Sequence, residues 1–126
     1  MQRFTDLKVW QRAHALVLKL YPLLASFPGD ERFVLTPQLR RAAISVPSNI
    51  AEGSKRRSRH EYAHFLNIAE ASLAESEYLI MLARDLGYAS HEQAQEFLSD
   101  IDELARMLSS LRAKVEDAAD VGSGDS

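Results

Sequence analysis

Apolar residues recur every three or four positions in each long segment of this 126-residue chain. A period of about 3.5 to 3.6 residues matches the α-helix, whereas a half-buried strand alternates with a period of two. Only 5 glycines and 4 prolines interrupt the pattern. The period therefore predicts four helices and no strand, and a chain of this length suits one all-α domain.

Capping residues and prolines set the expected bounds of the first two helices. The first helix is predicted to follow Thr5 as its N-cap and to run to about Phe27, before a Pro-Gly turn. The second is predicted to start at Thr36, with Pro37 at the first helical position, where its missing N–H has no intrahelical partner to lose. Pro47 lies inside this helix and is expected to kink it rather than end it.

Two capping-box patterns mark the starts of the last two helices. Ser58 and Glu61 fit the S-x-x-E pattern, and the helix behind them is predicted to stop at Gly87. Ser90 and Gln93 repeat the pattern with glutamine in the third helical position. Both helix starts are therefore specified locally by the sequence.

Short connections favour antiparallel neighbours, so we predict an up-down-up-down four-helix bundle over residues 1–120 and a disordered tail over 121–126. In that topology the start of helix 1, the helix 2–3 turn and the end of helix 4 share one end of the bundle. The acidic residues near the chain end would then lie close to the basic turn described below. These residues are Glu116, Asp117 and Asp120.

The net charge of −3 conceals an asymmetry between the two halves of the chain. Residues 1–60 carry 11 Lys/Arg and 4 Asp/Glu, a charge of +7, and residues 61–126 carry 4 and 14, a charge of −10. Segregated charge suits attraction between halves of one bundle or between subunits, or binding of an anionic partner such as RNA or DNA. We favour the internal or intersubunit interpretation.

The basic helix 2–3 turn is the candidate nucleic-acid site. Because it also exposes the first amides of helix 3, it could contact phosphate without reading sequence. The turn itself contains no aromatic residue for base stacking. A solvated basic turn, or one docked on the acidic tail, is the alternative, and the residues concerned are Lys55, Arg56, Arg57 and Arg59.

Helix 1 carries more apolar residues than one seam of a bundle requires. The seam follows an unbroken 3-4-3-4-3 spacing from Trp10 to Phe27. A monomer that left the remaining apolar residues exposed would show an unusually large apolar patch. We therefore predict a homo-oligomer interface, in a cyclic assembly, formed by Leu16, Leu18, Tyr21 and Leu23.

Four segments of the sequence resemble one known family. They are FTDLKVWQ at residues 4–11, QLRRAAISVPSNIAEG at 38–53, and FLNIA at 65–69 followed by LGY at 86–88. This pattern is similar to the 23S rRNA intervening sequence proteins, and its most specific part is SVPSNIAEG. The resemblance implies a bacterial, cytosolic four-helix bundle that assembles into homo-oligomeric rings, here expected to be pentamers. It implies no enzymatic activity. The pattern is also similar to accessory proteins of diversity-generating retroelements, which bind nucleic acid.

The H-E-x-x-H pattern at His60, Glu61 and His64 suggests a remote alternative function, that of a zinc hydrolase. Two histidines one helical turn apart beside a carboxylate can bind zinc, but a catalytic site also needs a third protein ligand. The sequence offers Asn67 where the longer metalloprotease pattern has glycine, and Glu61 is better explained as a capping residue. We therefore expect no metal, no cofactor and no catalysis.

Asn49 and Glu52 lie one helical turn apart beside Pro47. We interpret them as inward polar residues that satisfy the carbonyl freed by the proline, or that link helix 2 to Ser72 and Ser76 on helix 3. A lone carboxylate is weak support for acid–base chemistry. Both residues are therefore predicted to be structural.

Zero cysteines exclude disulfide scaffolds and thiol catalysis. The chain also has no apolar run of about 18 residues and no signal-peptide pattern at its start. A cytoplasmic location without membrane contact is the expectation.

Overall fold

The computed structural model describes residues 3–124, with side chains described for residues 3–118. This part of the chain forms four α-helices, two short 3-10 turns and no strand. The predicted all-α fold with four helices is confirmed. The helices are α1 (Lys8–Ala25), α2 (Leu35–Ser54), α3 (Arg59–Asp85) and α4 (His91–Gly124).

Each helix packs against the next along the chain, and α4 closes the bundle by packing against α1. This closed order of neighbours puts α1 diagonally opposite α3. A 3-10 turn at Phe4–Asp6 contacts both α1 and α2, so the start of α1 and the end of α2 lie at the same end of the bundle. None of the described helices is both long and apolar enough to cross a membrane.

The core runs along the bundle axis, where every helix contributes apolar side chains at three- and four-residue spacing. Burying a leucine or isoleucine stabilises a fold by about 1.5–3 kcal/mol. The most deeply buried large side chains come from α2, α3 and α4. They are Leu39, Val46, Ile50, Leu66 and Leu108.

The seam between α2 and α3 is packed with small residues. A Cβ atom built on Gly53 would lie 2.8 Å from Cβ of Phe65 and 3.1 Å from Cδ1 of Tyr62. Real Cβ atoms do not approach this closely, so glycine lets the end of α2 contact the start of α3. Further along the seam, the hydroxyls of Ser45 and Ser72 share a hydrogen bond of 2.8 Å.

The seam between α1 and α4 is lined by ion pairs. Lys19 Nζ lies 2.7 Å from Glu96 Oε1 and 2.8 Å from Asp100 Oδ2, and Arg12 Nη1 lies 2.9 Å from Glu103 Oε1. Partial burial alone would lower the pKa of Lys19, but hydrogen bonds to the two carboxylates outweigh it and raise the pKa. The opposite charges of α1 and α4 are therefore matched within one bundle.

The predicted N-caps of the first two helices are wrong. Thr5 lies inside the 3-10 turn and α1 follows Leu7, which supplies no side-chain cap. In the second helix, α2 starts at Leu35, whose N–H points to Glu31 Oε1 at 3.4 Å, and Thr36 is already helical. In both cases the helical turn begins one residue before the threonine, at Phe4 and at Leu35, so the threonine is not at the N-cap position.

The predicted starts of α3 and α4 agree with the structure. Ser58 Oγ accepts a hydrogen bond from the Glu61 amide at 3.3 Å. Ser90 and Gln93 exchange two bonds, since each side chain accepts from the other residue's amide, at 2.9 and 3.0 Å. After α3, Gly87 takes a φ of +82°, the left-handed conformation typical of a helix stop.

At the chain end, the backbone of α4 is helical to Gly124. The bundle was predicted to end at residue 120 and to be followed by a disordered tail at 121–126. The helix thus continues into residues 121–124 of that tail, and residues 125 and 126 lie outside the described residues.

Candidate functional site: two interaction surfaces

The four α1 residues predicted to form an interface divide into two pairs. Leu18 and Tyr21 are 61% and 46% exposed, whereas Leu16 and Leu23 are each 6% exposed and belong to the core of their own bundle. The prediction is therefore wrong for Leu16 and Leu23. Helix α1 packs against both α2 and α4, so the buried side of α1 is broad. Leu16 and Leu23 both lie on that buried side.

Tyr21 connects α1 to an apolar patch on α2. The Arg40 guanidinium carbon lies 5.4 Å from the centre of the Tyr21 ring. Pro37, Arg40 and Ile44 line an open depression of about 430 Å³ beside it. We name Leu18, Tyr21, Pro37, Arg40 and Ile44 the α1–α2 outer face.

Arg40 lies in this face and forms no salt bridge with the residues whose side chains the structure describes. Its Nε atom is inaccessible to solvent and makes no hydrogen bond in the described part of the chain. Unsatisfied buried donors are uncommon in native proteins. The guanidinium carbon lies over the Tyr21 ring, and Nε is enclosed by its own chain.

The α2 part of this face was not predicted, although the sequence contains a signal for it. Pro37 and Ile44 are seven residues apart with Arg40 between them, so all three lie on one side of a helix. The predictions for the body of helix 2 concerned only its start, the kink at Pro47, and Asn49 and Glu52. The contact between Tyr21 and Arg40 joins Pro37, Arg40 and Ile44 to the exposed residues of α1.

The basic turn lies at the end of the bundle that also holds the start of α1. Its four cationic residues are exposed. Lys55 Nζ lies 5.6 Å from the Phe4 ring centre and the Arg56 guanidinium 4.8 Å from that of Phe65, distances typical of cation–π contacts. The fold thus places aromatic rings beside a turn that has none in its own sequence. The four residues are Lys55, Arg56, Arg57 and Arg59.

A short row of aromatic rings continues from the turn along α1. Phe4 meets Trp10 edge to face with ring centres 5.2 Å apart, and Trp10 stacks on His14 at 4.9 Å. His14 is exposed and Trp10 is half-buried. Stacked rings beside cations are the components of a single-stranded nucleic-acid surface.

Glu116 does not lie against the basic turn. It pairs with Arg112 at 3.0 Å, and Arg112 also pairs with Glu70 on α3. The hydrogen bond to Glu70, and to a smaller extent the one to Glu116, raises the pKa of Arg112 above its ordinary value. Asp117 is exposed, and Asp120 lies outside the residues whose side chains are described. The predicted docking of this segment on the basic turn therefore fails for Glu116.

The H-E-x-x-H residues lie in the first turns of α3. His60, Glu61 and His64 are all exposed, and the Glu61 amide takes part in the Ser58 cap. In the part of the chain that the structure describes, no three His, Asp or Glu side chains are placed to hold a metal ion.

Asn49 and Glu52 have different surroundings. Asn49 Nδ2 donates to the carbonyl and hydroxyl oxygens of Ser45 at 2.8 and 2.9 Å, and Ser45 bonds Ser72. Glu52 is exposed, so the prediction that it points inward is wrong. At that level the inward position belongs to Gly53, which a larger side chain could not occupy.

Taken together, the fold and these surfaces define a four-helix-bundle protein whose candidate sites are faces and ends of the bundle. Its sequence matches the family model described as 23S rRNA-intervening sequence protein over residues 5–110. The chain belongs to this family, and the resemblance seen in the sequence is confirmed. Comparison with curated proteins finds no match.

A solved structure supports the same assignment. The chain is similar to a protein of unknown function from the S23 ribosomal protein family of Bacteroides thetaiotaomicron, with 27% identity and a TM-score of 0.74. The match covers 82% of this chain and 97% of that one. Neither comparison names a catalytic activity, and the likeness to retroelement accessory proteins stays a prediction.

Proposed function

We propose that this protein is a non-enzymatic interaction protein whose copies assemble through the α1–α2 outer face. The observation that carries the proposal is the exposure of Leu18 and Tyr21 on the outer side of α1. Single exposed apolar residues are normal on a monomer. Here the two residues continue through Arg40 into the apolar depression on α2, and a contiguous patch marks an interaction surface.

The composition of the face supports a protein partner. Tyrosine and arginine are enriched among the residues that dominate binding energy at protein interfaces. The Arg40 guanidinium carbon lies over the Tyr21 ring within this face. An interface here would bury both and could supply an acceptor for the guanidinium.

The form of the assembly that we propose is a closed ring. Contact between two different surfaces of one chain is heterologous, and a heterologous contact that closes forms a ring. The number five rests on the resemblance to the family.

The test substitutes one exposed residue on the face. Leu18→Glu places a charge where we expect a dry contact, and because Leu18 is 61% exposed the fold itself should tolerate the change. Ser110→Glu, at an exposed position on α4, adds the same charge elsewhere and serves as the control. Sedimentation velocity at micromolar concentration should give parent and control a mass of several chains, and Leu18→Glu the mass of one chain, 14.1 kDa.

Two outcomes would contradict the proposal. One is a parent chain that sediments as a monomer, and the other is a Leu18→Glu variant with the parent's mass. Circular dichroism and thermal unfolding of each variant establish that the bundle is intact.

A second candidate function is binding of single-stranded RNA or DNA at the basic end. The observation that favours it is the cluster of four exposed cations beside the rings of Phe4, Trp10 and His14. Cations that track phosphates together with stacking rings bind single strands without reading sequence. This candidate is compatible with assembly, because it uses the end of the bundle and not its outer face.

Titration of a fluorescent single strand at several salt concentrations tests this second candidate. Changing Arg56, Arg57 and Arg59 to alanine should remove most of the binding and lower the slope of log K against log salt by about 0.7 per lost phosphate contact. The control removes three arginines elsewhere, at Arg32, Arg84 and Arg106. Equal affinity of the turn variant and the control would exclude the basic turn.

A further inference from the structure

We infer that the α1–α2 outer face of one copy contacts the outer side of α3 on a second copy, so that assembly runs head to tail. This inference rests on the self-assembly proposed above and names the surface that the α1–α2 outer face binds. Tyr78 and Met81 on α3 are 60% and 37% exposed. With Ala74, also exposed, they form an apolar row, which we name the α3 outer face.

The α3 outer face is one continuous surface by helix geometry. Residues three and four positions apart are neighbours on a helix, so Ala74, Tyr78 and Met81 lie in line. Glu75 lies beside Tyr78 and Glu77 beside Met81 by the same spacing. Both glutamates are exposed, and neither forms a salt bridge within residues 3–118. An apolar row between two unpaired carboxylates is thus presented to solvent.

The charge of the two faces is complementary. Across α1, and across α2 as far as Ala51, the sequence contains no Asp or Glu, while Arg40 and Arg41 lie at the α1–α2 outer face. In the other half of the bundle, the arginines are already paired with acidic residues of that same half. Acidic charge therefore remains in excess on α3, opposite in sign to the face that it would meet.

The acidic row of α4 is less suited to this contact. Glu96, Asp100 and Glu103 already pair with Lys19 and Arg12 of the same chain. A second copy would have to displace those pairs to use them. The glutamates beside Tyr78 require no such displacement.

The position of the two faces determines the kind of assembly. Since α1 and α3 occupy diagonal corners of the bundle, their solvent-exposed sides face in opposite directions. A contact between them is heterologous, and an open chain of copies keeps one free surface of each kind, at its two ends, until it closes. Tyr21 and Arg40 would lie against Tyr78, and Glu75 or Glu77 would supply a carboxylate for the outer side of the Arg40 guanidinium, which forms no salt bridge within residues 3–118.

The test uses two variants that each block one face. Leu18→Glu blocks the α1–α2 outer face, and Tyr78→Lys places a cation against the basic partner surface. Each variant alone should bind itself at least about 30-fold more weakly than the parent, the loss typical of a central interface residue. Mixed in equal amounts, they should associate, because each retains the surface that the other has lost. Native mass spectrometry should then show complexes that contain the two chains in equal number.

The outcomes separate this inference from the proposal on which it rests. A monomeric parent contradicts both. A Tyr78→Lys variant that assembles as the parent does, beside a monomeric Leu18→Glu variant, overturns the head-to-tail contact and leaves self-assembly through the α1–α2 outer face in place. Two folded monomeric variants that do not associate when mixed also overturn it. If Tyr78→Lys fails to fold, Met81→Lys blocks the same face and replaces it.

Discussion

The two seams that join the basic half of the bundle to its acidic half use different chemistry. Along α2–α3, Gly53 and paired serines bring the backbones close together, and neither Ser45 nor Ser72 carries a charge. Along α1–α4, Lys19 and Arg12 reach three carboxylates through partly exposed side chains. Close packing fixes the first seam, whereas longer and more adaptable side chains span the second.

The difference explains how charge segregated along the sequence is accommodated in one fold. The α1–α4 seam neutralises only two basic side chains of the first half. Arg40 and Arg41 remain on the outer surface, where no described residue forms a salt bridge with them. The charge imbalance that pairs α1 with α4 thus also leaves unpaired arginines beside apolar side chains on the α1–α2 outer face.

The largest effect is expected from a side chain at the glycine of the α2–α3 seam. Gly53→Leu would force Phe65 and Tyr62 away from α2, and overpacking of this kind costs roughly 1–3 kcal/mol or more of unfolding free energy. Urea denaturation followed by circular dichroism measures the loss. Gly29→Ala is the control, because nothing lies within 4 Å of a Cβ there. Equal stability of the two variants would contradict the close approach at Gly53.

A smaller effect is expected from the serine pair in the same seam. Ser72→Ala removes the 2.8 Å bond to the Ser45 hydroxyl, and a hydrogen bond of this kind contributes about 1 kcal/mol. Asn49 would still bond Ser45, which limits the loss. Ser99→Ala on the exposed side of α4 gives the effect of the same substitution without a partner. A stability difference near zero between the two variants would show that the serine bond contributes nothing.

The smallest effect is expected at the α1–α4 seam. Lys19→Met keeps the side-chain stem beside Phe97 and removes both ion pairs. Because the charged groups are partly exposed, the loss should be at most about 1 kcal/mol, and it should shrink further in high salt. A larger loss of unfolding free energy that does not depend on salt would mean that the α1–α4 seam is as rigid as the α2–α3 seam.

The pH dependence of the Lys19 effect follows from its raised pKa. A cation whose folded-state pKa lies above the ordinary value of 10.5 stabilises the fold fully below that value, and loses the effect as pH rises through the folded-state pKa. The stability difference between the parent and Lys19→Met should therefore be constant around neutral pH and disappear at strongly alkaline pH. A difference that persists there would point to lost packing.

Local signals were sufficient to predict the fold class and two helix starts. Ser58 and Ser90 act as caps because all of the interacting atoms lie within four residues of each other. Thr5 and Thr36 have the same chemical character but are not caps, because preceding residues start the turn earlier. Capping patterns alone do not show this competition.

The candidate surfaces depend on contacts between distant residues. Periodicity showed that α1 has excess apolar residues, but only the position of its neighbours decides that Leu16 is buried and Leu18 is not. The Tyr21–Arg40 contact joins residues from two helices. Tyr78 lies opposite the buried row of α3, so the helical period alone is enough to place it on the outer side once that row is known.

The most direct test of self-assembly through a charged apolar face is the mass of the unmodified chain in solution as salt is varied. Light scattering at micromolar concentration and low salt should give a multiple of 14.1 kDa, five times that mass for the proposed ring. Opposite charges contribute to the contact, and at about 1 M salt the Debye length falls to about 3 Å. The assembly should therefore dissociate at a higher protein concentration in about 1 M salt than in low salt. A mass of one chain at every salt concentration would contradict the account.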